Sequence, residues 1–232
     1  MVSEVTNTAM LHCVAKKLGP LRSKVVFMGT TILPFLMTNN TIWNQRQSKD
    51  VDFIVYFSSK NDIYEFEDAL WEQGFKRGTI GPIYHWITEG IGVDVVPADP
   101  DVIGFNNQWS LEAVQYAQQA NIGEDLVINM INSPYFLGVK FSAFDKRGKN
   151  NYMRSYDVAD IVRVVYEDDD LIKKIQANAS SNLRQFLCYQ FNNLLKNNNI
   201  KEVIMNHLSE AYRTEAGVNK VLGRIENITE IM

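Results

Sequence analysis

Cysteine is scarce in this 232-residue chain: Cys13 and Cys188 are its two, far apart and outside any C-x-x-C pair. That argues against a disulfide framework and a zinc site, and it fits a reducing compartment, so a cytoplasmic protein is expected. Each cysteine reads as a small buried hydrophobe. Long apolar runs are missing as well. None approaches the roughly 18 residues that a membrane-spanning helix requires. Met1 to Ala15 interleaves Glu4, Asn7 and His12 with its apolar residues, so an export signal is not expected and neither is a membrane partner. Positive charge is also short, with 23 Lys and Arg against 27 Asp and Glu, a formal net charge of −4. A protein that coats nucleic acid through bulk potential needs the opposite balance, which leaves open only a local basic cleft. There is no internal repeat. Two phosphate-binding signatures are absent too: no Gly-Lys-Ser/Thr follows a glycine loop, and G-x-G-x-x-G does not occur.

What is present is a globular composition, 46% hydrophobic and 22% charged, enough apolar material for a sizeable core. It falls into two textures. Up to about residue 145, short β-rich runs alternate with helical stretches; beyond it the chain reads almost wholly helical. The expected fold class is therefore α+β, a mixed sheet with flanking helices (residues 1–145) followed by a C-terminal helical bundle (residues 146–232). Val5 to Leu18 has helical apolar spacing and stops at Gly19-Pro20. Lys24 to Met28 is an apolar run of β-formers ending at Gly29, and Thr30 to Met37 reads as a turn into a short helix. Val51 to Phe57 is a second strand with Asp50 and Asp52 at its entrance, and Asn61 to Gln73 an amphipathic helix. Tyr84–Thr88 and Ile91–Val96 flank Glu89-Gly90, a two-residue hairpin signal, with Pro97 and Pro100 ending the second strand. Leu111 to Ala120 reads as a helix capped by Ser110, Leu126 to Met130 as a strand, and Ser133-Pro134 as the start of a helix through Phe144. Helices are then expected at Asp157–Tyr166, Leu171–Ala177, Ser181–Leu195, Ile200–Arg213 and Asn219–Ile228.

The chemistry centres on Asp50-Val51-Asp52. Residues two apart in a strand share a face, so both carboxylates point one way and repel unless a cation intervenes. Mg²⁺ prefers oxygen donors, usually one or two carboxylates together with substrate phosphates. Asp94 stands between Val93 and Val95, where a carboxylate is costly unless it is paired, binds metal or faces solvent. If its strand lies beside that of Asp50 and Asp52, three carboxylates converge, an arrangement that clamps two metals about 4 Å apart for in-line phosphoryl or nucleotidyl transfer. Gly29-Thr30 opens the turn after the first strand, where backbone N–H groups are suited to phosphate. Arg46 and Lys49 add positive charge beside the carboxylates. His85 sits on the hairpin near Asp94, but a lone strand histidine reads first as a packed or surface residue. Trp43, Tyr84 and Trp109 are candidates to stack a base, with core packing the stronger reading for each.

The order strand, Gly29-Thr30, helix, then Arg46-x-Ser48-Lys49-Asp50-Val51-Asp52, then a third Asp on a later strand resembles the polymerase-β-like nucleotidyltransferase superfamily. Within it, the closer resemblance is to the AbiEii/AbiGii toxin-type (DUF1814) branch, whose R-x-[ST]-x-D-[IV]-D signature stands at Arg46 to Asp52. The later lysine helix of that branch is matched by Ser133-Pro134-Tyr135-Phe136-Leu137 with Lys140, and its D-x-x-D helix by Asp157 and Asp160. The resemblance covers about residues 20–166. It implies a cytoplasmic enzyme that moves a nucleoside monophosphate from an NTP onto an acceptor hydroxyl and releases pyrophosphate. Asp50, Asp52 and Asp94 would hold Mg²⁺ (or Mn²⁺), with Lys140 as a fourth catalytic group. Gly29, Thr30, Thr31, Arg46, Ser48, Lys49, Asp157 and Asp160 would bind the nucleotide. The acceptor would be RNA or a protein, with an antitoxin as a further partner in a toxin-antitoxin role. Where the family has Gly-Gly or Gly-Ser after the first strand, this chain has Met28-Gly29-Thr30. That departure motivates the alternative of a catalytically silent nucleotide-binding or interaction protein; a small-molecule (antibiotic-type) transferase is the alternative within the enzyme class.

Overall fold

The computed structural model describes residues 6–38, 46–79, 84–99, 108–148 and 150–230. Val5, Trp43 and Pro100, named above as a helix start, a candidate stacking ring and a strand stop, lie outside the described residues. The chain divides into two compact units, Met1–Phe35 with Gln45–Ile131 and Leu36–Asn44 with Asn132–Met232.

The first unit is built on a mixed sheet that has seven strands among the described residues: β1 (Val25–Met28), β2 (Asp50–Val55), β3 (Lys76–Arg77), β4 (His85–Thr88), β5 (Ile91–Pro97), β6 (Gln118–Asn121) and β7 (Val127–Met130). They lie side by side in the order β3-β4-β5-β2-β1-β7-β6. β2 runs antiparallel to β1 and parallel to β5, β4 is antiparallel to β5, and β1 pairs β7 in parallel. Strand alternation sorts the side chains of β2. Val51, Phe53 and Val55 turn to one face, where Phe53 meets Phe27 edge-on at 5.8 Å between ring centroids. The helix that follows β2 closes over that layer through Phe66, 6.4 Å from Phe53 and 5.7 Å from Phe57. Asp50 and Asp52 are thereby left to the other face.

Local signals explain most of these elements. α1 (Asn7–Lys17) is capped by Thr6, whose hydroxyl accepts from the Ala9 N–H. α2 (Leu33–Leu36) continues a 3-10 turn at Thr30–Ile32, so Pro34 falls in its first turn, where its missing N–H costs nothing. α3 (Lys60–Glu72) starts in a reciprocal capping box between Ser59 and Asp62. The exposed Asp62 carboxyl accepts four hydrogen bonds, from the hydroxyl and N–H of Ser58 and from those of Ser59, and they hold it down to about 2. The hairpin β4–β5 turns at Glu89 (φ 48°) and Gly90 (φ 75°), the left-handed pair that a two-residue hairpin needs. One helical expectation fails at its end: α4 (Ser110–Gln115) stops early, and Gln118–Asn121 forms β6, an edge strand paired to β7. Its polar sequence carries no alternation, so it is the pairing that makes it a strand. Ser110 does not cap α4 either; Trp109 occupies that position without a side-chain bond.

The second unit is helical: α5 (Ser133–Arg147), α6 (Tyr156–Glu167), α7 (Leu171–Asn178), α8 (Ser181–Leu195), α9 (Ile200–His207) and α10 (Glu215–Glu230). Asn132 caps α5 through the Tyr135 N–H, with Pro134 in the first turn. The helix expected over Ile200–Arg213 breaks at Leu208 and resumes as a 3-10 turn, Glu210–Tyr212. Phe141 of α5 and Phe191 of α8 cross at 5.0 Å and 87°, and Leu187, Leu194, Val221 and Ile225 are buried in the same unit. Both cysteines are half-buried free thiols, less enclosed than the sequence suggested.

Candidate functional site

The site follows from strand direction. β1 ends at Met28 opposite Asp52, so the chain turns at Gly29 over the entrance of β2. β5, parallel to β2, begins at the same end and sets Gly92 opposite Asp50 and Asp94 opposite Asp52. β4 then sets His85 opposite Asp94. Met28, Asp52, Asp94 and His85 thus form a row across four strands. The two-residue period of β2 puts Asp50 on the same face one step away.

Asp50, His85 and Asp94 each offer a donor atom within 4.8 Å of the others. His85 Nδ1 lies 2.6 Å from Asp94 Oδ1. The Asp50 carboxyl lies beside that of Asp94. Burial first, and then the negative charge of Asp94, hold the Asp50 carboxyl above the ordinary carboxylate range, against the opposing pull of His85 and Lys49. Two acids pressed together in this way relieve their repulsion by sharing a proton, and a divalent cation relieves it more completely. The donor chemistry therefore fits a divalent ion. Asp52 is turned to a different neighbour. Gly29 has φ 79° and ψ −168°, and a Cβ there would collide with Asp52 Oδ2. The carboxylate rests on the bare Cα of the turn.

The chain before β2 is tied into the same corner. The Asn7 side chain donates to the Arg46 carbonyl (2.9 Å) and accepts from the Ser48 N–H (2.7 Å). Ser48 Oγ donates to the Asp50 carbonyl (2.9 Å), and Arg46 Nη2 donates to Thr30 Oγ1 (3.1 Å). Arg46, Ser48, Thr30, Gly29, Asp50, Asp52 and Asp94 are thus linked around one end of the sheet, with Lys49 exposed beside them. Thr31 is fully buried, and its hydroxyl has no hydrogen-bond partner among the described residues. Trp109 belongs to the core at 5% exposure, and Tyr84 is half-buried.

Lys140, Asp157 and Asp160 stand in the second unit, engaged with one another. Lys140 Nζ lies 2.6 Å from Asp160 and 3.8 Å from Asp157, all three buried. Arg147 holds Asp157 through both carboxylate oxygens, at 2.9 and 2.7 Å.

Two residues of the first-unit site escaped the sequence reading in these roles: Asn7 as the tether of the pre-β2 segment, and His85 as the partner of Asp94. The second had a usable signal. Counting outward from the Glu89-Gly90 turn pairs Thr88 with Ile91, Ile87 with Gly92, Trp86 with Val93 and His85 with Asp94.

No protein-family model matches the sequence, and no curated protein matches it. Among solved structures the chain is similar to an antigenic nucleotidyltransferase-like protein from Paracoccidioides brasiliensis, with a TM-score of 0.51 at 15% identity over 89% of this chain and 95% of that one. The mixed sheet with flanking helices is accordingly a nucleotidyltransferase-like fold.

Proposed function

We propose that this chain is a metal-dependent nucleotidyltransferase that moves a nucleoside monophosphate from an NTP to an acceptor hydroxyl and releases pyrophosphate. The observation that carries this reading is the shared face of Asp50, Asp52 and Asp94 beside the Gly29 turn. When bound, divalent ions neutralise the triphosphate and polarise the entering and leaving oxygens. The chain's own groups do the rest. Asp50, Asp52 and Asp94 are the oxygen donors. The backbone at Gly29 and the Thr30 hydroxyl face the triphosphate, Arg46 and Lys49 supply local positive charge, and Asp94 takes the proton of the acceptor hydroxyl as that oxygen attacks the α-phosphorus. The Arg46-to-Asp52 signature supports the toxin-type branch, and with it an RNA end or a protein side chain as acceptor and an antitoxin as partner.

One observation favours a second reading. The Thr30 hydroxyl is already engaged by Arg46, and a turn closed in this way suits a nucleotide-binding protein without turnover. The test is incubation with each labelled NTP, Mg²⁺ or Mn²⁺, and total RNA or protein, reading pyrophosphate and label transfer. Transfer that Asp52→Asn abolishes in a folded protein supports the enzyme. NTP binding without transfer to RNA, protein or small hydroxylated acceptors supports the second reading, and full turnover by Asp52→Asn refutes the assigned carboxylate role.

A further inference from the structure

His85 is seated more closely than a surface strand residue requires. Its ring lies in a slot left by two glycines from neighbouring segments. A Cβ at Gly78 would come within 2.5 Å of His85 Cδ2, and one at Gly92 within 2.9 Å of His85 Cε1. The slot is fixed from both sides: the Gly78 N–H donates to the His85 carbonyl at 2.9 Å, and Gly92 is held in β5 opposite Asp50. With its flanks confined, the ring presents Nδ1 toward Asp94. The side chains of His85 and Asp94 are 17% and 26% exposed, so the group is sheltered yet reachable from solvent.

Resting on the metal reading above, we propose that His85 is itself a ligand of the cation, through Nδ1, and that the centre formed by Asp50, His85 and Asp94 takes a first-row transition ion such as Mn²⁺ in preference to Mg²⁺. Donors around a six-coordinate ion at about 2.1 Å stand about 3 Å apart when adjacent and about 4.2 Å apart when opposite. A triad whose donor atoms all lie within 4.8 Å of one another is near that size, and the 2.6 Å pair of His85 Nδ1 and Asp94 Oδ1 would exchange its hydrogen bond for the ion and open to about 3 Å. The composition of the donor set decides the ion. Mg²⁺ is selective for oxygen and gives up its water shell reluctantly, whereas an imidazole nitrogen is a normal ligand for the transition metals.

The experiment uses the full chain with Mn²⁺ as the probe. Mn²⁺ affinity is read by electron paramagnetic resonance, Mg²⁺ affinity by competition, and the ligand nitrogen by electron spin echo modulation, in wild type, His85→Gln and Asp50→Asn. The wild type is expected to show ¹⁴N modulation that disappears in His85→Gln. That variant should lose about tenfold or more in Mn²⁺ affinity, as losing even an outer partner can cost, and less than about threefold for Mg²⁺. Gly78→Ala keeps the imidazole but crowds its slot, and should weaken the same modulation, which separates ligation from a folding defect in His85→Gln. Mn²⁺ bound without ¹⁴N modulation, or an equal loss for both ions in His85→Gln, overturns the inference and makes His85 only an orienter of Asp94. If Asp50→Asn abolishes Mn²⁺ binding while His85→Gln does not, the metal reading stands and the ligand assignment falls. If the wild type binds no Mn²⁺, both fall.

Discussion

Replacing Gly29 with alanine tests the corner on which the candidate site turns. Two costs are expected, and they can be separated. The backbone at φ 79° and ψ −168° lies where only glycine sits easily, and strain of that kind costs about 1–3 kcal/mol. The second cost is the collision of the new methyl with Asp52 Oδ2, which pushes the carboxylate off the turn. Gly90 isolates the first cost. It has φ 75°, and nothing lies within 4 Å of a Cβ built there, so Gly90→Ala should lose about 1–2 kcal/mol from left-handed strain alone. Unfolding by denaturant supplies the stabilities, and pyrophosphate release supplies turnover. Gly29→Ala should lose more stability than Gly90→Ala, and its turnover should drop by about 10²-fold, as an ångström-scale misplacement of a reacting group does. In an Asp52→Ala background the collision with the carboxylate is gone and only a tight 3.3 Å contact with the Cβ of residue 52 remains, so Gly29→Ala should cost little beyond its backbone strain. If Gly29→Ala is no less stable than Gly90→Ala and turns over normally, Asp52 does not rest on Gly29 and the geometry assigned to this corner is wrong.

The second unit offers two further tests. Lys140 and Asp160 are both buried and 2.6 Å apart, so Lys140→Met strands a buried charge and should destabilise the chain by about 3–5 kcal/mol, while adding Asp160→Leu should recover most of that loss; a neutral Lys140→Met would refute the pair. His207 of α9 places Nε2 2.7 Å from the Tyr152 carbonyl, and burial lowers its pKa below 6.5, more than this bond raises it. The unfolded chain therefore takes the proton first, stability is complete above about pH 6.5, and it is lost as pH falls from there toward the lowered folded value. Denaturant midpoints measured across that range should decline in the wild type and flatten in His207→Gln; parallel profiles would count against it.

The sequence disclosed what is decided locally. β1, β2 and the β4–β5 hairpin were legible because apolar runs end at turn residues, and Glu89-Gly90 allows essentially one hairpin geometry. β6 was not, because Gln118–Asn121 is a strand only through its pairing with β7. β3, two residues long, gave no period to read. At the site, the acids Asp50, Asp52 and Asp94 could be singled out because carboxylates among valines need a reason. What sequence alone left open was strand order. A parallel β5 beside β2 brings Asp94 level with Asp52, and nothing local in either segment specifies that neighbour. The shared helical face of Asp157 and Asp160 was legible in their i,i+3 spacing, and with it a salt bridge from one of them to Lys140 or Arg46; that Lys140 meets both in a buried cluster was a matter of tertiary packing.

The alternation of β2 also acts as a proofreading device. Were β2 to slip by one residue against β1, Asp50 and Asp52 would enter the layer now filled by Val51 and Phe53, beneath Phe66, and each ionised carboxylate taken into that apolar layer would cost several kcal/mol. A misaligned sheet is therefore not a stable, merely inactive species. Molecules that complete this sheet at all complete it with the acidic row facing outward, so the folded fraction of a preparation should equal the fraction with a correctly presented site.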